Sequence, residues 1–225
     1  MRANRLNVGS RKALVGMDII LVKTDGLEFG QLEKYLSCVT APRRAGIERK
    51  KSGADKLCAL LSELLVLSEI TLRTGLAQRE ISFRRGAHGK PYIKQREAAG
   101  LEFSLSHTAG AIAAAFSARG EIGVDIERKN RPISERLYSR MLCEEERIRT
   151  LSSGDFIRAW VQKEAFLKRL GIGISRDLRG VNSLRLPDTA AIDVGDYFIG
   201  VSGDGALNAA ISEITVKELL ERFNC

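Results

Sequence analysis

The stretch "SGADKLCALLSELLVLSEITLRTG", residues 52–75, constrains the fold more than any other. Leu57, Leu61 and Leu64 recur at helical spacing, as do Leu60, Leu64 and Leu67. A long helix that is apolar on more than one face belongs in the middle of a domain, not on its surface. Ser52 and Asp55 have capping-box spacing, with Asp in the usual Glu position, and Gly75 is a natural stop. Any fold for this chain must therefore wrap other elements around this helix.

The rest of the chain supplies them. Leu14 to Val22 reads as a buried strand, and short strands follow at "EISFRR", "PYIK", "LEFSLSHT", "AIAAAFSA" and "IGVDIER". Pro132 to Ser152 reads as helical and charged, and Asp155 to Leu170 as a second helix stopped by Gly171. Strands are expected again at "GVNSLRLP", "AIDVGDYFIGVS" and "ALNAAISEI", with a short helix at "VKELLERF". Both halves read as a helix with a small antiparallel sheet, an α+β arrangement. No short-period repeat and no low-complexity segment is present.

At 225 residues the chain is long enough for one large domain or two small ones. Its formal charge of +8 points to an anionic partner: nucleic acid, an acidic protein or a polyphosphate ligand. The basic stretch "RRAGIERKK" lacks aromatic residues that could stack on bases, which weakens the nucleic-acid reading. Cys38, Cys58, Cys143 and Cys225 form no C-x-x-C pair, and with only two histidines a zinc site is not expected. No disulfide framework is indicated, and free thiols fit a reducing compartment. The apolar run near the N-terminus is broken by Asp18, so neither a signal peptide nor a membrane span is expected. A cytoplasmic protein is the expectation.

Three groups of residues could do chemistry. In "GVDIERK", Asp125 and Glu127 alternate with Val124 and Ile126, so on a strand the two acids share one face. Carboxylates that close repel unless a cation lies between them, and magnesium favours oxygen ligands. Alone, the pair reads more readily as an exposed strand edge with solvated acids. In "WVQKEAFLK", Trp160, Glu164 and Lys168 share one helix face. The plain reading is a surface salt bridge beside a core tryptophan; beside the first pair, the same residues would offer a third acid and a phosphate partner. In "HGKPYI" and "SLSHT", Lys90 sits in a turn, and Ser106 and His107 end a strand. Adjacent strand residues point to opposite faces, which disfavours a Ser–His nucleophile, whereas phosphate contacts suit both.

These motifs occur in the order GKP, SHT, GVDIE and WxxKEAFxK, from Gly89 to Lys168. Each is weak alone; together, in order and at compatible spacing, they are specific. The chain resembles the Sfp-type 4′-phosphopantetheinyl transferases, in particular the WxxKEA branch. The resemblance implies two similar halves related by a pseudo-twofold, residues 1–118 and 119–225, with coenzyme A as co-substrate in the cleft between them. It implies that Asp125, Glu127 and Glu164 hold magnesium, with manganese as an alternative, and that Lys168 contacts the phosphates. Lys90, Ser106 and His107 would hold the nucleotide end, with His88, Gly89, Pro91 and Thr108 lining the same pocket and Arg43 as a further phosphate contact.

The implied reaction moves phosphopantetheine from coenzyme A to a serine of an apo acyl or peptidyl carrier protein and releases adenosine 3′,5′-bisphosphate. Asp125, Glu164 and Lys168 would form the catalytic set, with Glu164, directly or through water, as base. An acidic carrier would meet the segment Arg128–Arg149, with Arg131, Arg136 and Arg140 as contacts. No nucleic acid or membrane partner is implied, and a monomer is expected. One departure stands out: the arginine common near the start of the long helix is replaced by Cys58, leaving Lys56 or Arg49 to substitute. The rival readings are another magnesium-dependent nucleotide phosphotransferase or hydrolase, and a noncatalytic basic nucleic-acid-binding module.

Overall fold

A computed structural model describes residues 16–95, 100–173 and 177–223. Among these the strands are β1 (Asp18–Lys23), β2 (Phe83–Arg85), β3 (Pro91–Ile93), β4 (Glu102–Thr108), β5 (Ala111–Ser117), β6 (Gly123–Arg128), β7 (Thr189–Val194), β8 (Tyr197–Ser202) and β9 (Ala210–Ile214). The helices are α1 (Ala41–Glu48), α2 (Gly53–Thr74), α3 (Glu135–Met141), α4 (Glu144–Arg149), α5 (Ser153–Leu170) and α6 (Val216–Leu220). The fold is α+β, with the long helices α2 and α5 each covering one sheet, as the sequence leads one to expect.

The first sheet has the order β4-β5-β1-β9 and the second β6-β8-β7. Side-chain alternation along β1 and β5 builds the layers. Ile20, Val22, Ile112, Ala114 and Phe116 pack under α2. Ile19, Leu21, Ala111, Ala113 and Ala115 face the other way, onto Val124 and Ile126 of β6 and Ile199 and Val201 of β8. α5 then packs on the far face of the second sheet through Val161 and Phe198. The order is helix, sheet, sheet, helix. The expected burial of α2 holds: Leu60, Leu61, Leu64 and Leu65 are fully enclosed.

The chain returns at its end. β9 pairs in parallel with β1, Ile19 opposite Ile211. α6 follows, with Leu219 in the core under α2. Arg222 then reaches Glu69 of α2 at 2.7 Å, and Glu69 also accepts from Arg73.

Several local expectations change. "GVNSLRLP" forms no strand; Ser183–Arg185 is a 3₁₀ turn. Side chains take its backbone groups: Ser183 donates N–H and hydroxyl to Glu146, and Asn182 accepts from Leu184. "AIDVGDYFIGVS" is a hairpin of two strands, not one strand. Pro132–Ser152 holds two short helices, because the Cys143 N–H is taken by the Glu146 carboxylate and a new helix starts there. The basic stretch after Thr40 contains a helix, α1. The first strand begins at Asp18; residues 14 and 15, and Cys225, lie outside the described residues. Cys58 and Cys143 are free, but Cys38 is disulfide-bonded, against the expectation of free thiols throughout. Among the described residues no helix is long and apolar enough to cross a membrane.

One ion pair holds the second half together. Lys163, on the inner face of α5, is fully buried. Its ammonium binds Glu146 at 2.7 Å and the Leu178 carbonyl at 3.2 Å, and it also donates to the Met141 carbonyl. Burial alone would raise the Glu146 carboxyl, but hydrogen bonds from Lys163, Ser183 and Cys143 outweigh it and hold it below its ordinary range. A depressed folded-state value means the pair stabilises the fold above the unfolded carboxylate pKa of about 4.3. That stabilisation is lost as pH falls through the lower folded value. Lys163→Met leaves Glu146 buried and unpaired, so it should lower the unfolding free energy by about 3–5 kcal/mol at neutral pH. Urea denaturation across pH checks this, with the deficit expected to shrink in acid.

Candidate functional site between the halves

The site lies where the two sheets meet edge to edge, β4 beside β6. Both belong to different sheets, so no strand ladder joins them. Hydroxyl side chains on one face of β4 do so instead. Ser104 Oγ accepts from the Val124 N–H at 3.0 Å. Ser106 Oγ donates to Asp125 Oδ1 at 2.7 Å, and Thr108 Oγ1 to Glu127 Oε2 at 2.9 Å. The period-two alternation that buries Val124 and Ile126 turns Asp125 and Glu127 toward this seam, as the sequence predicts.

α5 brings the remaining groups because it sits unusually close to the second sheet. A Cβ at Gly123 would lie 1.8 Å from the Ala165 carbonyl oxygen, and one at Gly200 2.0 Å from that of Val161. Only glycine permits this approach at both places. The capping box of Ser152 and Asp155 fixes where the helix begins. Lys168 Nζ then reaches Asp125 Oδ1 at 2.7 Å and Ser106 Oγ at 2.8 Å. One turn earlier, Glu164 Oε1 accepts from Trp160 Nε1 at 2.9 Å. Arg131, beyond β6, pairs with Glu127 Oε1, and its guanidinium lies 4.1 Å from the centre of the Trp160 ring.

The electrostatics follow from this crowding. Burial, with Asp125 and Glu127 nearby, pushes the Glu164 carboxyl up to about 7 against the opposing pull of Lys168 and Trp160. Burial also raises Glu127, which Arg131 partly offsets. Asp125 Oδ2 is buried without a hydrogen-bond partner. Such an oxygen is costly to bury unless something else binds it. Yet among the described residues no three His, Cys, Asp or Glu side chains form a group that could hold a metal as they stand. Lys168 and Arg131 occupy Asp125 and Glu127 instead.

Other predicted residues fall around this centre. His107 alternates away from Ser106 and is exposed in part; burial of the remainder, with the ammoniums of Lys168 and Lys50, lowers its imidazole. Lys50, in the connection between α1 and α2, is thus near enough to act on His107 by its charge, while Lys56 lies over the Phe29 ring. Cys58 sits near Lys50, its thiol raised chiefly by burial. Lys90 donates to the carbonyls of Ile122 at 3.1 Å and Arg169 at 2.8 Å, so it ties the β2–β3 hairpin to the end of α5. Gly89 turns that hairpin and Pro91 starts β3. His88 packs beside Gly173. Arg43 pairs with Glu63 of α2 at 2.9 Å. Arg136 and Arg140 are exposed on α3. The structure thus gathers Ser106, Thr108, Asp125, Glu127, Glu164 and Lys168, and gives Lys90 and Arg43 partners elsewhere. Sequence reasoning missed the Arg131–Glu127 pair, although the two are four residues apart. It also passed over Gly123, whose place directly before the acidic strand pattern was the available signal.

Comparison with known proteins bears on the family. A family model described as "4'-phosphopantetheinyl transferase superfamily" matches residues 121–199, and "4'-phosphopantetheinyl transferase, N-terminal" matches residues 28–118. The chain is 31% identical over 217 residues to 4'-phosphopantetheinyl transferase psf-1 of Bacillus pumilus, covering 86% of this chain and 91% of that protein. It is 30% identical over 172 residues to 4'-phosphopantetheinyl transferase Sfp of Bacillus subtilis, covering 70% and 75%. It is 31% identical over 170 residues to 4'-phosphopantetheinyl transferase ffp of Bacillus subtilis, covering 73% and 74%.

The close seat of α5 gives a test. Gly123→Ala should force the helix off β6 and lower the unfolding free energy by about 2–3 kcal/mol. Chemical denaturation measures it, and a stability within error of wild type would show that the helix can yield without cost.

Proposed function

The chain belongs to the 4′-phosphopantetheinyl transferase family, and we propose that its reaction takes place at the seam between β4, β6 and α5. The activity is transfer of phosphopantetheine from coenzyme A to a serine of an apo carrier protein. The observation that carries this reading is the convergence of Ser106, Lys168 and Asp125 within hydrogen-bond distance, with Glu127 and Glu164 beside them.

The serine oxygen bonds to the β-phosphorus of coenzyme A as the bond to the bridging phosphate oxygen breaks, and adenosine 3′,5′-bisphosphate leaves. Such chemistry depends on positioning and on neutralising charge. Lys168 supplies a fixed positive charge where the phosphates would lie. Glu164, beside Asp125 and Lys168, is placed to take the serine proton, directly or through water. Asp125 and Ser106 hold the Lys168 ammonium in place. His107 and Lys50 face the same end of the cleft and suit the nucleotide phosphate. Lys90, with Gly89 and Pro91, sets the wall that the hairpin forms, and His88 lies on the same hairpin.

Asp125, Glu127 and Glu164 are the residues we assign to magnesium or manganese. The donor set is all hard oxygen, and Asp125 Oδ2 is a buried oxygen with no other partner. A bound divalent cation would neutralise phosphate charge. The formal charge of +8 suits coenzyme A and an acidic carrier better than nucleic acid, given how few aromatics accompany the basic stretch. Arg136 and Arg140, exposed on α3, suit that carrier. Two halves in one chain complete the cleft, so we read the protein as a monomer. We place it in the cytoplasm, where coenzyme A and apo carriers meet; the free Cys58 and Cys143 fit that placement and the Cys38 disulfide does not.

Intact-protein mass spectrometry of an apo acyl carrier protein, incubated with this protein, coenzyme A and magnesium, tests the activity. The expected result is a mass gain of one phosphopantetheine, abolished by EDTA. If no gain occurs with acyl or peptidyl carriers, the reading fails. Asp125→Asn and Glu164→Gln should each slow transfer by about a hundredfold or more while the circular dichroism spectrum stays that of the wild type. Near-normal transfer by a folded Glu164→Gln protein would remove its assigned role.

A further inference from the structure

Arg131 is expected from the sequence to face a carrier, yet its side chain is turned into the site. It pairs with Glu127 Oε1, and it stacks on the indole of Trp160, whose N–H binds Glu164. Its side chain keeps 40% of its surface exposed, whereas that of Glu127 keeps 10%. The guanidinium can thus leave for solvent at small cost, while the carboxylate cannot. The Trp160 face offers it a second resting place that does not involve Glu127.

We propose that Arg131 is an internal counter-ion of the site, which competes with a divalent cation for the Glu127 carboxylate. This rests on the metal assignment made above. A divalent ion at the Glu127 carboxylate would repel a guanidinium held on the same group. Binding of the ion is therefore weakened for as long as Arg131 stays on Glu127. A site whose competent form is only partly populated binds with an affinity reduced by that fraction. Arg131 thereby sets how much cation the protein needs, and it keeps Glu127 neutralised when none is bound. It is a positioning residue for Glu127, distinct from Lys168, which faces Asp125 and Ser106.

The test measures cation binding directly, apart from turnover. Mn2+ is titrated into the full chain in the presence of coenzyme A, and free Mn2+ is read by electron paramagnetic resonance against a protein-free control. Arg131→Leu should bind Mn2+ more tightly than wild type, by about threefold, the scale expected for a partly exposed ion pair. Arg158→Leu removes the same charge from α5, where it faces Asp193 and not the acids. It should leave the affinity within error of wild type, which separates competition at Glu127 from a general change in charge. Arg131→Lys should fall between wild type and Arg131→Leu, and it covers the case in which the leucine variant does not fold.

Folded Arg131 variants that bind Mn2+ as wild type does, or more weakly, overturn the proposal and leave the metal assignment standing. An equal gain in Arg158→Leu overturns it as well. Absence of Mn2+ binding in wild type and in both Arg131 variants overturns the metal assignment itself, and the proposal with it.

Discussion

The structure depends on a short row of hydroxyls. Ser104, Ser106 and Thr108 point from the edge of one sheet to the edge of another and do what a strand ladder would otherwise do. A backbone ladder would have joined the sheets but left no room for chemistry between them. Hydroxyls join them and at the same time orient carboxylates. Ser104 satisfies a backbone donor, while Ser106 and Thr108 satisfy Asp125 and Glu127. The contact that unites the halves is also the contact that aims the acids. For this reason the cleft and the fold cannot be altered independently.

The same economy governs charge. Asp125 faces Lys168, Glu127 faces Arg131, and Glu164 faces the indole N–H of Trp160. Each acid is buried or nearly so, and each has a donor from the same chain. Asp125 Oδ2 apart, a substrate or ion entering the site must exchange one set of partners for another. Buried charge is tolerable only when paired, so partners that can be exchanged are what make a buried reactive site compatible with a stable protein. Lys163 and Glu146 show the opposite solution: a pair with every bond satisfied and no exposure, placed to hold structure and not to exchange.

Much of this was legible in the sequence because it rests on periodicity. The apolar faces of α2, the boundary glycines Gly75 and Gly171, and the shared face of Asp125 and Glu127 all follow from spacing alone. The spacing of Trp160, Glu164 and Lys168 placed them on one face of α5, and that face meets the acids. What spacing does not carry is identity of partner. Nothing local distinguishes Lys163 from Lys168, yet one is sealed in the core and the other lines the cleft. Ser106 and Thr108 also act together at i and i+2, a relation that shows only once the acids they meet on β6 are known. "GVNSLRLP" alternates like a strand, but Glu146, distant in sequence, takes the N–H and hydroxyl of Ser183, and Asn182 takes the N–H of Leu184. The pairing of β9 with β1 likewise depends on residues nearly two hundred positions apart.

That last pairing sets the order in which the molecule can be finished. During synthesis the chain emerges from its N-terminus, and a segment that forms a closed unit can fold as soon as it is out. The first sheet is not closed at that stage. Its fourth strand and the helix that covers part of α2 follow the whole of the second sheet in the sequence. Until then β1 has a bare edge, and an apolar groove beside α2 lies open to other chains. A ribosome that stops between the two sheets would release a sticky fragment, whereas synthesis through β9 and α6 seals both gaps at once.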